Sequence, residues 1–406
     1  MRIPPASMAF TVLLGFLVAL PSFGIDMSLP ALTAMGATFG VAPSRVGLMM
    51  GVFMIGFAVA PLLYGPASDR YGRKPIVMFG CTLFTIASAG GAISRSLLVL
   101  LLWRVVQGAG AGASMTIVLA IIRDLFEGQA ARTRLSYVAI ATLIVPMIAP
   151  TVGAALLEFG SWRMIHGILA GIGLILLLVI LIGFAESARL DPANRLAPAM
   201  VGHDYLRVLR HPPGVAYILI NAMAFGALFA YVSGSPLFFI NGLGLRPDQY
   251  GLVFAVTSLS IMLGALLNGR LSARDVGPSI PLTIGLSLAA ASAMSLLVMT
   301  LTGWMPFGLV ISILIINNFS FGLIVPNAMQ EAMEPFPQLA GAAGATTGFV
   351  QMTTGAVVSG LVTTFFDGRS ALSMTSLMAL CSFLALVSYV ALVRPAESAT
   401  GETTDG

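Results

Sequence analysis

Gly65-Pro66-Ala67-Ser68-Asp69-Arg70-Tyr71-Gly72-Arg73-Lys74-Pro75 is the sharpest punctuation in the sequence. Apolar runs flank it, residues 44–64 before and 75–93 after, each long enough to cross a hydrocarbon layer about 30 Å thick as a helix. Its glycines make a tight turn possible between the two runs. The same alternation repeats along the chain, with apolar runs at 8–34, 44–64, 75–93, 97–122, 134–158, 163–185, 213–241, 248–268, 279–301, 304–330, 338–364 and 370–393. An all-α membrane protein of twelve transmembrane helices is the expected fold.

Composition excludes the alternatives. Of 406 residues, 58% are hydrophobic and 9% charged, and the mean hydropathy is +0.97. A soluble chain would carry roughly 25% charged residues, so most of this one belongs in lipid. Cys81 and Cys381 both lie inside apolar runs, which excludes a disulfide framework or a cysteine metal site. His166, His203 and His211 show no ligand spacing, so neither a metal nor a cofactor is expected. Residues 9–23 after Arg2 have the look of a signal peptide, but the helical pattern continues past Asp26 to Leu32 with no clean cleavage site.

The cations set an orientation. With the N-terminus inside, 14 of the 20 lysines and arginines fall on the cytoplasmic side and five outside. Both termini are therefore expected to be cytoplasmic, and the basic balance needs no nucleic acid. The longest connection, 186–212, carries Pro192, Pro198, Pro212 and Pro213. It divides the chain into an N-terminal six-helix half (1–185), a cytoplasmic linker (186–212), a C-terminal six-helix half (213–393) and a tail (394–406) expected to be disordered. Leu63, Gly65 and Ser68 recur as Leu267, Gly269 and Ser272, a faint echo between the halves. Parallel six-helix repeats around a central cavity describe a transporter.

Charge inside a span is costly and marks function first. Asp26 is the acid well inside a span and Arg104 the base. Counting along the helices at 1.5 Å per residue puts both about 10–15 Å below the outer surface, a depth that permits pairing. Such a carboxylate can exchange a proton for a cationic ligand. A buried structural pair, or an aspartate capping a helix break before Pro30, is the alternative. Gln107, Gly108, Gly110 and Gly112 follow Arg104; they lie within a helix, so close helix packing is expected rather than a nucleotide loop. Asp69 stands among three cations, where it can meet the positive end of a neighbouring helix as a latch. Pro150, before Gly153, should kink span 5, as static architecture or as a hinge. No H-E-x-x-H, G-x-S-x-G, Walker loop or charge ring appears, which argues against a membrane enzyme, an ATP-driven pump or a channel.

These residues resemble a known family. The second connection is similar to the major facilitator superfamily's loop signature G-x-x-S-D-R-x-G-R-[KR]-P, and Arg104, Gln107, Gly108 and Gly110 to its span-4 motif R-x-x-Q-G-x-G. Asp26-Met27-Ser28-Leu29-Pro30-Ala31-Leu32 resembles the D-M-x-L-P-A-L of its Bcr/CflA-type drug:proton antiporters. Arg123-Asp124-Leu125, Ser233-Gly234-Ser235-Pro236, Leu267-Asn268-Gly269-Arg270 and Val325-Pro326-Asn327-Ala328 also resemble that subgroup. Span 5 departs from the antiporter motif at Ala149-Pro150, and Val18 stands where some multidrug relatives carry a second acid.

The resemblance implies a secondary active transporter of the bacterial cytoplasmic (inner) membrane. It would export amphipathic drugs or toxic small molecules in exchange for protons by alternating access, as a monomer and without a cofactor. A proton-coupled symporter for a nutrient or metabolite is the alternative. Asp26 would be the proton and substrate-coupling group and Arg104 its partner. Gly65, Asp69, Arg70, Gly72 and Arg73 would form the gating loop, Gln107 and Gly108 the span-4 motif, and Pro150 and Gly153 the span-5 hinge. Tyr231, Asn317, Asn327 and Gln351 are candidate cavity members, each equally suited to hydrogen-bonding between helices.

Overall fold

A computed structural model describes residues 3–188 and 198–393. The expected disordered tail, and Pro192 in the linker, lie outside the described residues. The elements in chain order are α1 (Met8–Asp26), a 3-10 turn (Leu29–Ala31), α2 (Leu32–Phe39), α3 (Pro43–Tyr71), α4 (Arg73–Ala92), α5 (Leu97–Leu125), α6 (Gly128–Phe159) and α7 (Trp162–Gly183). There follow α8 (Pro198–Leu209), α9 (Pro212–Pro236) with a wider π turn (Leu237–Gly242), α10 (Pro247–Ser272), α11 (Ser279–Thr302), α12 (Phe307–Met333), α13 (Ala340–Thr364) and α14 (Leu372–Ser388), which ends in a π turn (Tyr389–Val393). No strand occurs among the described residues.

Every apolar run marked in the sequence contains a long helix, the first of them broken at Met27 and Ser28, but the count of twelve spans needs one correction. Eleven helical segments among the described residues are long and apolar enough to cross a membrane. The twelfth, α13, is helical over 25 residues. It is diluted by five glycines and six threonines, which lower its hydropathy without breaking the backbone hydrogen bonds. A second correction concerns residues 65–75. Gly65 and Asp69 are not in a turn, because α3 continues to Tyr71 and the reversal is made by Gly72 alone, at φ 99°. Glycine reaches that region without steric cost.

The chain forms two compact units, Met1–Ala197 with Gly244–Ala255, and Pro198–Leu243 with Val256–Gly406. In the first, α5 packs on α3 and α4, α4 on α7, and α1 on α6. In the second, α9 packs on α12, α13 and α14, and α11 on α12. Lipid supplies no hydrophobic drive between helices, so they are held by close contact and hydrogen bonds. Both units achieve this closeness by the same device. A Cβ on Gly108 of α5 would fall on the Phe53 carbonyl of α3, and one on Gly56 of α3 on the Val105 carbonyl of α5. In the second unit Gly264 of α10 would meet the Phe319 carbonyl of α12, and Gly322 of α12 the Ile261 carbonyl of α10. The halves therefore repeat each other in reciprocal glycine contacts, a firmer echo than the one at Gly65 and Gly269, beside which no atom lies within 4 Å of a Cβ.

Candidate functional site

The first span breaks at its charge. α1 stops at Asp26, Met27 and Ser28 leave the helix, and Pro30, which has no N–H, sits inside the 3-10 turn before α2 resumes. A helix that stops inside the bundle leaves carbonyls without intrahelical partners. Arg104 answers one of them: its Nη1 donates to the Gly24 carbonyl at 2.8 Å. A cation at a helix C-terminus also meets the negative end of the helix dipole.

Arg104 is 1% exposed and tied to three further groups. Its Nη1 donates to Gln107 Oε1 at 2.6 Å, its Nε reaches the Met49 carbonyl at 3.5 Å, and its guanidinium lies 4.7 Å from the centre of the Phe53 ring. Gln107 Nε2 passes the chain on to Ser88 Oγ of α4 at 2.7 Å. One arginine thus links α1, α3, α4 and α5 through carbonyl dipoles, an amide and an aromatic face. Among the described residues no ion pair joins Arg104 to Asp26, and its Nη2 has no partner. Asp26 is 6% exposed. Arg104 therefore reaches α1 through the backbone two residues before the carboxylate, and Asp26 stands beside the helix break without a salt bridge.

The glycines of the span-4 motif divide between two neighbours. Gly108 faces α3, as does Gly112, which lies against Phe57 and Ala60, whereas Gly110 faces Gly80 and Phe84 of α4. Positions i and i+4 share a helix face and i+2 does not, so three glycines serve two close contacts. Span 5 meets α1 in the same manner. A Cβ on Gly153 would fall on the carbonyl oxygen of Met27, the residue after Asp26. α6 runs unbroken through Pro146 and Pro150.

At the α3–α4 reversal, Arg73 Nη1 donates to Asp69 Oδ1 and to Ser68 Oγ, each at 2.5 Å, and its Nε donates to Asp124 Oδ2 of α5 at 2.8 Å. Arg70 is exposed and lies over the Tyr71 ring at 5.3 Å. The partner of Asp69 is thus Arg73. The carboxylate at a helix N-terminus belongs to Glu186, which follows α7: its Oε1 accepts from the Arg73 N–H at 2.8 Å and its Oε2 from the Lys74 N–H at 3.1 Å. Pro75 has no N–H to offer, so Glu186 serves the first two donors of α4. Lys74 returns the contact, its Nζ donating to the carbonyls of Leu181 and Phe184 at 2.9 and 2.7 Å. A Cβ at position 72 would strike the Glu186 carboxylate, a second reason for glycine there. Glu186→Ala is expected to lower stability by about 0.5–2 kcal/mol, the range of helix N-cap losses, seen as a lower thermal midpoint in detergent. Glu186→Gln should recover part of it.

Sequence reasoning assigned no role to Glu186, Lys74 or Asp124. Asp124 was visible as a charge at the end of span 4, and Glu186 only as the first acid after span 6.

The four candidate cavity residues hydrogen-bond within the second unit. Tyr231 Oη lies 2.5 Å from Thr257 Oγ1, Asn317 Nδ2 donates to the Ala289 carbonyl and Ser292 Oγ, Asn327 Nδ2 donates to Asn268 Oδ1, and Gln351 Oε1 accepts from Asn221 Nδ2. Asn317 also lines a small cavity with Asn318, Phe321 and Ser382.

Residues 12–355 match the Major Facilitator Superfamily. The chain is 27% identical over 355 residues to the bicyclomycin resistance protein homolog of Haemophilus influenzae, covering 87% of this chain and 88% of that protein. It is 28% identical over 361 residues to multidrug resistance protein D of Escherichia coli, covering 86% and 87%. Among solved structures it is similar to a D-xylose–proton symporter, with a TM-score of 0.72, 18% identity and coverage of 93% of this chain and 97% of that one. That likeness is one of fold. With its long apolar helices, two compact units and span-4 arginine, the chain belongs to the Major Facilitator Superfamily of multi-pass membrane transporters.

Proposed function

We propose that the protein is a secondary active transporter that exports amphipathic drugs or toxic small molecules in exchange for protons. The observation that carries this reading is the helix break at Asp26, where a buried carboxylate stands without an ion pair among the described residues while Arg104 holds the nearby Gly24 carbonyl. A carboxylate so placed has a proton or a cationic substrate as its available charge partners, and it cannot hold both. Arg104 stabilises the broken end of α1 and leaves Asp26 free to exchange. The names of the relatives, a bicyclomycin resistance protein homolog and multidrug resistance protein D, support drugs as the cargo class. In this reading the protein works as a monomer in the bacterial cytoplasmic membrane with both termini inside, and Arg73, Asp69, Asp124 and Glu186 form the latch on the cytoplasmic side.

Everted vesicles test it. Adding a substrate drug to energised vesicles should release protons from the lumen with the native protein and not with Asp26→Asn. Proton release that survives in Asp26→Asn removes the carboxylate from coupling. Proton movement in the same direction as a nutrient supports the symport alternative.

A further inference from the structure

α8 is the short helix of the second unit. Its 12 residues cover about 18 Å, less than a hydrocarbon layer requires. Arg210 and His211 are all that separate it from α9, one of the long apolar helices. It is fixed at that place. Val208, 0% exposed, shares a core cluster with Ala216 and Tyr217 of α9, Ala332 of α12 and Ala343 of α13. His211 Nδ1 accepts from the Gly214 N–H at 3.1 Å, and its ring meets Phe336 edge-on at 5.1 Å. α8 therefore lies at the end of the second bundle from which α9 sets out.

Successive residues of a helix turn by about 100°, which sets the order of side chains around the axis. Val208, Tyr205, Leu209 and Leu206 form one continuous apolar arc, and Arg210, His203 and Arg207 form the arc beside it. The protein uses only part of the first arc. Val208 is buried and Tyr205 half-buried, but Leu206 and Leu209 are 46% and 49% exposed. The second arc is open. Arg207 and Arg210 are exposed, and among the described residues neither guanidinium makes an ion pair or a hydrogen bond. Asp204, the acid of α8, lies 3.8 Å from His203 instead.

Exposed leucines beside unpaired cations, on a short helix at the start of a membrane span, match the boundary of a phospholipid leaflet, where acyl chains meet phosphates. We propose that α8 lies in that boundary, with Leu206 and Leu209 against acyl chains and Arg207 and Arg210 on the phosphates of anionic phospholipids. Charge selects the lipid. Two cations without a counter-ion in the protein attract an anionic headgroup, whereas a zwitterionic headgroup carries its own compensating ammonium. The contact anchors the start of the C-terminal half to the leaflet from which α9 enters, and it does not rest on the coupling role of Asp26.

The test uses the full chain in nanodiscs of phosphatidylcholine, with or without phosphatidylglycerol. Cys81→Ala with Cys381→Ala removes both native thiols, and a nitroxide is then attached at Leu206→Cys or at His203→Cys. The label at 206 should collide more with oxygen, which concentrates in lipid, and the label at 203 more with an aqueous nickel chelate. Phosphatidylglycerol should lower nickel access at 206. The amount needed should rise about fivefold for each arginine removed in Arg207→Gln and Arg210→Gln, the size of one cation's attraction to an anionic surface. High salt should have the same effect on the native arginines, without any substitution, because exposed charges are screened. Nickel access at 206 equal to that at 203 in every lipid would leave α8 in water and overturn the proposal. A label at 206 shielded from both reagents would mean that protein covers the leucines, which overturns it as well. Indifference to phosphatidylglycerol, salt and the arginine variants would also overturn it, and would reduce Arg207 and Arg210 to partners of the α8 dipole.

Discussion

Gly153→Ala is expected to fold, to lose about 1–3 kcal/mol of stability and to transport poorly, although it adds only a methyl group. The added Cβ would fall on the Met27 carbonyl oxygen and crowd the Met27 carbonyl carbon at 2.9 Å. Both are backbone atoms, and a backbone cannot swing away as a side chain does. Overpacking of a well-fitted contact carries a cost of that order. The displaced atoms belong to the break that holds Asp26, so the loss should reach coupling as well as stability. Gly171→Ala is the matched control: it is also a helical glycine, but nothing lies within 4 Å of its Cβ. That variant should be neutral or more stable by about 0.5–1 kcal/mol, because alanine loses less backbone freedom on entering a helix. Thermal midpoints and drug-triggered proton release on the pair check the claim. Equal behaviour of the two variants would show that the α6–α1 contact does not constrain the site.

Arg104 is the second position where a large effect is expected. Arg104→Leu removes a buried cation whose hydrogen bonds run to carbonyls and an amide rather than to a carboxylate. Removing the donor leaves the Gly24 carbonyl and the Gln107 amide oxygen buried without it, at a cost of about 1–3 kcal/mol for each unmade hydrogen bond. The leucine variant should therefore show a lower thermal midpoint, and in the protein that remains folded drug-triggered proton release should fall at least about 10- to 100-fold, the equivalent of losing about 1.5–3 kcal/mol of charged hydrogen bonding. Arg104→Lys keeps the charge but lacks the planar fork that reaches Gly24 and Gln107 at once, so it should recover only part of the activity. Native rates in Arg104→Leu would reduce Arg104 to a packing residue.

Much of this protein is legible in its sequence, and the reason is lipid. A span must be apolar for about 20 residues, so 8–34, 163–185 and 279–301 announce themselves without any knowledge of their neighbours. α13 marks the limit: a Cβ on its Gly355 would meet Phe225 of α9 and one on Gly226 of α9 would meet its Thr354, and the same small and polar residues dilute the hydropathy by which a span is recognised. A charge within a span is equally conspicuous, and so Asp26 and Arg104 stand out by simple elimination.

What Arg104 binds was decided by tertiary structure. Two opposite charges at one depth suggest a pair, yet the helix break at Asp26 exposes the Gly24 carbonyl, and a backbone acceptor leaves no mark in a sequence. Glu186 is hidden for a related reason. It lies 113 positions from the Arg73 N–H that it accepts from, and one acid after a span looks like a solvated charge until α7 and α4 are placed side by side. Gly153 and Gly108 read alike on paper, as small residues within helices. Which backbone each one admits, the broken end of α1 or the middle of α3, depends on helix rotation and crossing, which hydropathy does not encode. The sequence by itself determined the membrane class, the order of the spans and the two intramembrane charges, because the free-energy cost of placing each residue type in lipid is a local property. The partners of those charges were decided only by tertiary structure, because they are carbonyls, helix ends and glycine contacts that come into being when distant helices meet.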